Sequence, residues 1–114
     1  MAINFRKREA TEKIVVLIKD TSFVNYKSYY KYCRCQGELD IGVHYFVDTD
    51  GTVHKARDHE AVAGWQYDDN TVSIYIMVQS NSKKMNSCQK YVLPLLLANL
   101  KKTYKDVEVI ERID

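Results

Sequence analysis

The sequence predicts an α/β fold of the α+β type, with a central mixed β-sheet, two main helices packed on it, and one domain over residues 1–114. Two observations predict this fold. Continuous runs rich in β-branched residues, at 14–18 and 72–78, are typical of strands that are buried on both faces. Helical patterns at 23–35 and 87–104 follow these strands, and elements in this order pack as helices on a sheet.

The first helical pattern lies between two strand patterns. An edge strand is predicted around Ile3 and Phe5, ahead of the first buried run. Residues 20–22 then form a loop or a helix cap, because Asp, Thr and Ser are common helix N-caps. The helix over 23–35 is expected to end at Gly37, since Gly is the usual residue just past a helix C-terminus.

The middle of the chain, residues 40–53, predicts a strand that runs into a tight hairpin. Asp50-Gly51 supplies the positive-φ turn that a short hairpin needs. Strict alternation along the strand places Val43 and Tyr45 on one face and His44 on the other. Both faces carry large side chains, so both are expected to be buried.

The second half predicts a strand, a helix and a last strand. The helical pattern at 87–104 contains Pro94, which is unfavourable inside a helix. We therefore expect an irregular first turn, or a helix that starts near Pro94. The last strand is predicted over 107–110.

Composition excludes several classes of function. A net charge of +2 over 114 residues is too small and too evenly mixed for a protein that binds long nucleic acids. The longest apolar run, 91–98, is too short to cross a membrane, and the N-terminus has no apolar leader segment. Three cysteines without a disulfide spacing suit a reducing compartment, so a cytoplasmic protein is expected.

One segment has a sequence pattern that is known from a protein family. The segment DIGVHYFVDTDGTVHKARDHEAVA, residues 40–63, resembles the core pattern of the zinc-dependent N-acetylmuramoyl-L-alanine amidases. That family includes the amidase-type phage lysozymes and the peptidoglycan recognition proteins. The resemblance extends from about Arg8 almost to the last residue, and it implies the same fold.

The resemblance fails at the family's chemistry. Its members hold zinc with two His and one Cys, and a Tyr and often a Lys assist the reaction. In this chain, Leu17 stands at the position of the family's first zinc-binding His, and Arg112 stands at the position of the second. Val43 replaces the family's Tyr. The family's Cys and Lys would follow Asp114. The resemblance thus implies a truncated member without zinc ligands. It predicts no metal, no cofactor, no catalytic residue and no enzymatic activity.

A binding role is predicted instead. Leu17 and Val43 would form the apolar floor of a cleft, and Lys19 and Arg112 would supply positive charge. The remaining members of the predicted cleft are Tyr45, Trp65, Gln66 and Tyr67. Such a cleft suits a flat anionic ligand, because bases stack on aromatic rings and phosphates pair with Lys or Arg. The leading hypothesis is a phage protein that sequesters a nucleotide second messenger of host immunity, such as a cyclic nucleotide.

Other interpretations stay open. The aromatic side chains could simply fill the core. The Tyr-rich first helix, with Tyr26, Tyr29 and Tyr30, could bind a protein as an inhibitor of a host or phage enzyme, since Tyr is common at interface cores. The chain could also bind a peptidoglycan fragment without cleaving it.

Overall fold

The computed structural model describes residues 8, 10–23, 25–38, 40–64 and 70–113. Within these ranges the chain forms five strands and two α-helices, with one short 3-10 turn before the fourth strand. The elements in chain order are β1 (Lys13–Lys19), α1 (Tyr26–Cys35), β2 (Tyr45–Val47), β3 (Val53–Lys55), β4 (Ser73–Gln79), α2 (Ser87–Thr103) and β5 (Glu108–Ile113). No helix in the described ranges is both long enough and apolar enough to cross a membrane.

The five strands form one mixed sheet in the order β3-β2-β4-β1-β5. Only the β2–β3 hairpin is antiparallel among these neighbours, and the other three pairs are parallel. Leu17 in β1 lies beside Met77 in β4 and Arg112 in β5. The predicted fold class, a mixed sheet with two helices, is confirmed.

Each face of the sheet carries its own core. The face under α2, here the α2 face, has an aliphatic core: Ile14, Val16, Ile18, Val47, Ile74, Ile76, Val78, Leu93 and Leu100. The opposite face, the α1 face, has a more varied core: Val15, Leu17, Cys33, Ile41, Val43, Phe46, Ala63, Tyr75 and Met77. The β-branched runs of the sequence supply both cores, since successive strand residues point to opposite faces.

Helix α1 begins three residues later than the predicted start at Phe23. The side chain of Asn25 accepts a hydrogen bond from the Ser28 N–H at 2.9 Å, which makes Asn25 the N-cap. The C-terminal signal is confirmed, because Gly37 follows the helix with φ +87°. Glu38 N–H then reaches back to the Cys33 carbonyl at 3.0 Å and satisfies a terminal carbonyl group.

The expectation of an irregular start to the second helix is wrong. Asn86 and Gln89 form a capping box, in which each side chain accepts from the other's backbone N–H. Helix α2 therefore begins at Ser87, and Pro94 lies inside it. Buried Leu93 and Leu100 anchor the helix on the sheet on both sides of that proline.

The predicted hairpin turn is confirmed, but the prediction that Val43 and Tyr45 lie on the same face of the sheet is wrong. Gly51 has φ +88°, and its N–H donates to the Asp48 carbonyl at 3.0 Å. Gly42 also has a positive φ, +82°, and β2 starts only at Tyr45. The irregular backbone between these positions places Val43 on the α1 face and Tyr45 on the α2 face.

Two other sequence predictions have simple outcomes. The edge strand around Ile3 and Phe5 lies outside the described residues. The last strand is found, but it spans Glu108–Ile113 and so extends further than the predicted 107–110.

Candidate functional site

The predicted apolar floor lies inside the core of the α1 face. Leu17 exposes 2% of its surface and Val43 is fully buried. Both pack in the cluster that Tyr75 and Met77 of β4 complete. A ligand could touch Leu17 and Val43 only if the residues covering them moved. Leu17 and Val43 are therefore core residues, and their contact with a ligand stays a prediction.

Two cationic residues lie at the edge of the α1 face. Lys19 ends β1, Arg112 is the last residue but one of β5, and both are half-buried. Arg112 is paired with Leu17, and side-by-side residues of neighbouring strands project from the same face. The structure therefore brings Lys19 and Arg112 to one end of the β1–β5 pair, on the α1 face.

An aromatic group lies within and just before α1, and we call it the Phe23 cluster: Phe23, Tyr29 and Tyr32. The ring centre of Phe23 lies 5.1 Å from that of Tyr32 and 5.9 Å from that of Tyr29. Burial raises the pKa of the Cys33 thiol, while a hydrogen bond with Tyr29 and the charge of Lys19 act on it in the opposite direction. Lys19 and Tyr29 thus lie close to the same thiol. Phe23 and Tyr32 are not among the residues of the predicted cleft.

Tyr45 does not belong to the predicted cleft. It packs against the aliphatic core of the α2 face, and its hydroxyl hydrogen-bonds to Nε2 of His59. The physical reason is the irregular backbone at Gly42, which breaks the alternation that the prediction used. The other three members of the predicted cleft, Trp65, Gln66 and Tyr67, lie outside the described residues.

The three tyrosines predicted to face a protein partner differ in exposure. Tyr26 and Tyr29 are half-buried and pack against the core of the α1 face. Tyr30 exposes 37% of its surface, and its ring centre lies 5.7 Å from that of Tyr26. A partner on this helix stays a prediction, and Tyr30 is the member of the set that it would reach.

His44 is a fully buried structural residue. Its Nδ1 accepts a hydrogen bond from Tyr75 N–H at 3.1 Å, so Nε2 carries the proton and donates to the Ala61 carbonyl at 2.7 Å. Burial lowers the pKa of His44 to about 4, against the opposing effect of the Ala61 carbonyl. Both ring nitrogens bind backbone groups, so His44 connects β4 to the loop before Val62.

A second histidine braces the start of α1. The Asp48 carboxylate accepts from Tyr26 N–H at 2.8 Å with one oxygen and contacts His54 Nε2 at 2.8 Å with the other. The ring of Tyr26 stacks on His54 with 5.0 Å between centres. This arrangement holds the hairpin to the helix N-terminus, where a carboxylate is favourable.

The third histidine joins distant parts of the chain on the α2 face. His59 Nδ1 lies 3.0 Å from the Tyr104 hydroxyl, while Nε2 bonds to the Tyr45 hydroxyl. Arg8 stacks its guanidinium over the Tyr104 ring at 5.7 Å and donates to the His59 carbonyl. Burial lowers the pKa of His59, and the charges of Lys55 and Arg8 lower it further.

A buried ion pair shapes the loops beside the α1 face. Arg57 Nη2 and Nε donate to the two oxygens of Asp40 at 2.5 and 3.1 Å, and the two side chains expose only 7% and 9%. Arg57 Nη1 also donates to the Val62 carbonyl at 2.6 Å, and Asp40 accepts from Gly42 N–H at 2.7 Å. The pair therefore fixes the loop before β2 to the loop after β3.

The described side chains do not fit a zinc ion. They contain no group of three or more His, Cys, Asp or Glu that could hold a metal. The ring nitrogens of His44 and His59 are engaged in hydrogen bonds, and Nε2 of His54 is engaged by Asp48. Leu17 has no donor atom in its side chain. The described side chains therefore offer no ligand set for zinc.

The curated relatives of the chain are phage endolysins. The chain is 30% identical to the endolysin of Klebsiella phage KP32 over 112 aligned positions, which cover 90% of this chain and 74% of that protein. It is also 30% identical to the endolysin of Escherichia phage T7 over 80 positions, 66% of this chain. The matched part spans about half, 53%, of the T7 protein. No protein-family model matches the chain.

Solved structures share the fold at lower identity. The Ph2119 endolysin of a Thermus scotoductus phage aligns with a TM-score of 0.75 and 23% identity over 94% of this chain and 75% of that one. The N-acetylmuramoyl-L-alanine amidase LysC of Clostridium intestinale aligns at 0.72 and 17%, over 96% and 78%. Human PGRP-IβC, solved with a glycosamyl muramyl pentapeptide, aligns at 0.67 and 11%, over 97% and 77%.

These comparisons correct one prediction. The sequence predicts a protein without enzymatic activity, whereas the curated relatives of the chain are endolysins and its structural neighbours include an amidase. The names point to an enzyme and contradict that prediction. The prediction rested on the replaced zinc positions, Leu17 and Arg112, and on the segment expected after Asp114. By its identity to the KP32 protein and its coverage of it, the chain belongs to the phage endolysin family.

Proposed function

We propose that the protein acts on bacterial peptidoglycan, and that it recognises the muramyl-peptide part of that polymer at the α1 face. The observation that carries this proposal is membership of the endolysin family over most of the chain. The fold shared with a recognition protein solved in complex with a muramyl pentapeptide supports the choice of ligand. A LysC-like reaction would hydrolyse the amide bond between the muramic acid and the first amino acid of the stem peptide.

The charge of the α1 face suits such a ligand. A stem peptide ends in a carboxylate, and Lys19 and Arg112 lie at one end of the β1–β5 pair. An Arg guanidinium can bind a carboxylate through two parallel hydrogen bonds, which adds orientation as well as affinity. The Phe23 cluster offers aromatic surface for the apolar parts of the sugar and peptide.

A nucleotide is the second candidate ligand of the same surface. The observation that favours it is that Lys19 and Tyr29 of the Phe23 cluster both act on the Cys33 thiol, while Tyr32 of that cluster exposes 47% of its surface. A base could stack on an exposed ring while a phosphate pairs with the lysine. This candidate keeps Lys19 from the predicted nucleotide cleft and replaces the predicted aromatic residues of that cleft by those of the Phe23 cluster. The cytoplasmic location that it requires stays a prediction.

One experiment separates the two candidates. Isothermal titration of the purified chain with a muramyl pentapeptide, and separately with cyclic di- and trinucleotides, identifies the ligand. Mass spectrometry of the muramyl-pentapeptide mixture then detects a released stem peptide. Binding of the muramyl peptide supports the proposal, and release of the peptide supports the hydrolytic reaction. Binding of a nucleotide alone would overturn the proposal in favour of the second candidate.

A further inference from the structure

Strand β5 forms one edge of the sheet, and within the described ranges no residue pairs with its outer side. Glu108 N–H donates to the Glu12 carbonyl at 3.0 Å, towards β1. The hydrogen-bonding groups of a strand alternate in direction, so the N–H and C=O groups of Val109, Glu111 and Ile113 point away from β1. Val109 and Ile113 expose 36% and 58% of their surfaces.

We propose that two copies of this chain pair through β5, antiparallel and about a two-fold axis perpendicular to the sheet. The two five-stranded sheets would then become one continuous sheet. An axis of this direction keeps each face on its own side, so both α1 helices lie on one side and both α2 helices on the other. The pairing is isologous, and it closes after two copies.

The charges on β5 select one register. With the axis at Ile110, Glu108 of each copy lies opposite Arg112 of the other, and opposite charges directly across antiparallel strands are stabilising. The next register that keeps the faces matched has its axis at Glu111. In that register, Glu111 of one chain would lie opposite Glu111 of the other, and like charges directly across two strands are destabilising. Ile110 therefore sits at the centre of the pairing, between two ion pairs.

The helices leave this edge accessible. Helix α2 packs on aliphatic residues of β1, β2 and β4, and the exposure of Val109 and Ile113 shows that it does not cover β5. On the other face, Glu108 is exposed and Arg112 half-buried, so both can reach across the edge. Edge strands that remain unpaired usually carry Lys, Pro or a bulge, whereas β5 carries charges of both signs in a self-complementary order.

Sedimentation equilibrium of the full chain tests the proposal, over about 5 to 500 µM because a six-residue strand pair is small for an interface. Val109→Pro removes an outward N–H without touching the β1–β5 hydrogen bonds, and edge positions tolerate Pro. We expect it to raise the dimer dissociation constant at least tenfold. Glu108→Arg and Arg112→Glu should each raise it about tenfold, and the double exchange should restore it. Lys102→Glu, an exposed charge change at the end of α2, is the matched control.

Two results would overturn the proposal: a monomer at every concentration, or a dimer that Val109→Pro and the single charge reversals leave unchanged. Circular dichroism melting of each variant confirms that the chain still folds. Rescue by the double exchange cannot come from misfolding, because it restores a specific pair. Muramyl-peptide binding is measured separately on the wild-type chain, so failure of the dimer does not affect the proposed function.

Discussion

The two faces of the sheet are built in different ways. The buried core of the α2 face consists of Val, Ile and Leu side chains under one helix that runs from Ser87 to Thr103. The α1 face has a shorter helix, and its core mixes aromatic, sulfur-containing and aliphatic residues. Buried polar contacts, His44 and the Asp40–Arg57 pair among them, fix the loops beside it.

This difference suggests that the α2 face mainly contributes stability, while the α1 face is suited to ligand recognition. Aliphatic side chains pack without directional partners, so the core of the α2 face should tolerate substitutions that conserve its volume. Buried polar groups need specific partners, so the loops beside the α1 face have one arrangement. Positioned loops on a rigid sheet are the usual place for a binding site. The cations Lys19 and Arg112 and the exposed ring of Tyr32 belong to this second face.

The largest predicted effect tests whether the α1 face is a true core. Phe46→Ala should lower the free energy of unfolding by about 3–5 kcal/mol, because Phe46 is fully buried and its removal leaves a cavity. Leu93→Ala is the matched change under the α2 face, expected to cost about 2–5 kcal/mol. Urea unfolding measures both. A loss below about 1 kcal/mol for Phe46→Ala would show that the α1 face is loosely packed.

The next largest effect is expected from the buried ion pair of Arg57 and Asp40. Arg57→Met should cost about 3 kcal/mol of unfolding free energy, because it leaves the Asp40 carboxylate buried without its partner. Lys55→Met is the control, since its ammonium lies 3.7 Å from Asp58 in an exposed pair that should contribute less than about 1 kcal/mol. Equal effects of the two changes would contradict the role assigned to the buried pair.

The pH dependence of stability comes next in size. His44 has a folded-state pKa of about 4, below its ordinary value of 6.5. The unfolded chain therefore binds more protons between these values, and the free energy of unfolding rises with pH across that window. Its contribution, of the order of 3 kcal/mol, is complete above about pH 6.5 and is lost as the pH falls towards 4.

NMR titration of the His44 ring checks this pKa directly. Urea unfolding at several pH values gives the free energy of unfolding as a function of pH. Between pH 4 and 6.5 this free energy should rise less steeply in His44→Gln than in the wild-type chain, because a Gln side chain does not titrate. A His44 pKa near 6.5 in the folded chain would contradict the two backbone hydrogen bonds of the neutral ring.

The smallest effects compare the two helix caps. Asn25→Ala and Asn86→Ala should each cost about 1 kcal/mol, since each removes the acceptor for a backbone N–H in the first turn. Ser28→Ala, in the first turn of α1, keeps the backbone donor and should change stability by less than about 0.5 kcal/mol. Thermal melting of the three variants measures the difference. No loss on Asn86→Ala would mean that another group starts α2.

Much of the fold could be predicted from the sequence because its signals are local. The β-branched runs mark β1 and β4, and Asp50-Gly51 marks the hairpin. Alternation does not hold between Val43 and Tyr45, because Gly42 adopts a positive φ and the backbone there is not a regular strand. Helix α2 starts earlier than Pro94 predicts, because the capping box of Asn86 and Gln89 fixes its first turn.

The site was less predictable because its contacts join distant residues. Arg112 pairs with Leu17, and Tyr26 N–H donates to Asp48, although the two members of each pair are far apart in the chain. No spacing rule connects such positions. Lys19 and Arg112 could be assigned to one edge only through the family resemblance, since they come from opposite ends of the chain.

Calorimetric titration with muramyl pentapeptide shows whether the α1 face recognises peptidoglycan. We expect saturable binding to the wild-type chain, about tenfold weaker binding to Lys19→Glu, and unchanged binding to the exposed control Lys90→Glu. Binding that Lys19→Glu and Lys90→Glu weaken equally would place the ligand elsewhere. No binding of the muramyl peptide by the wild-type chain would contradict the claim itself.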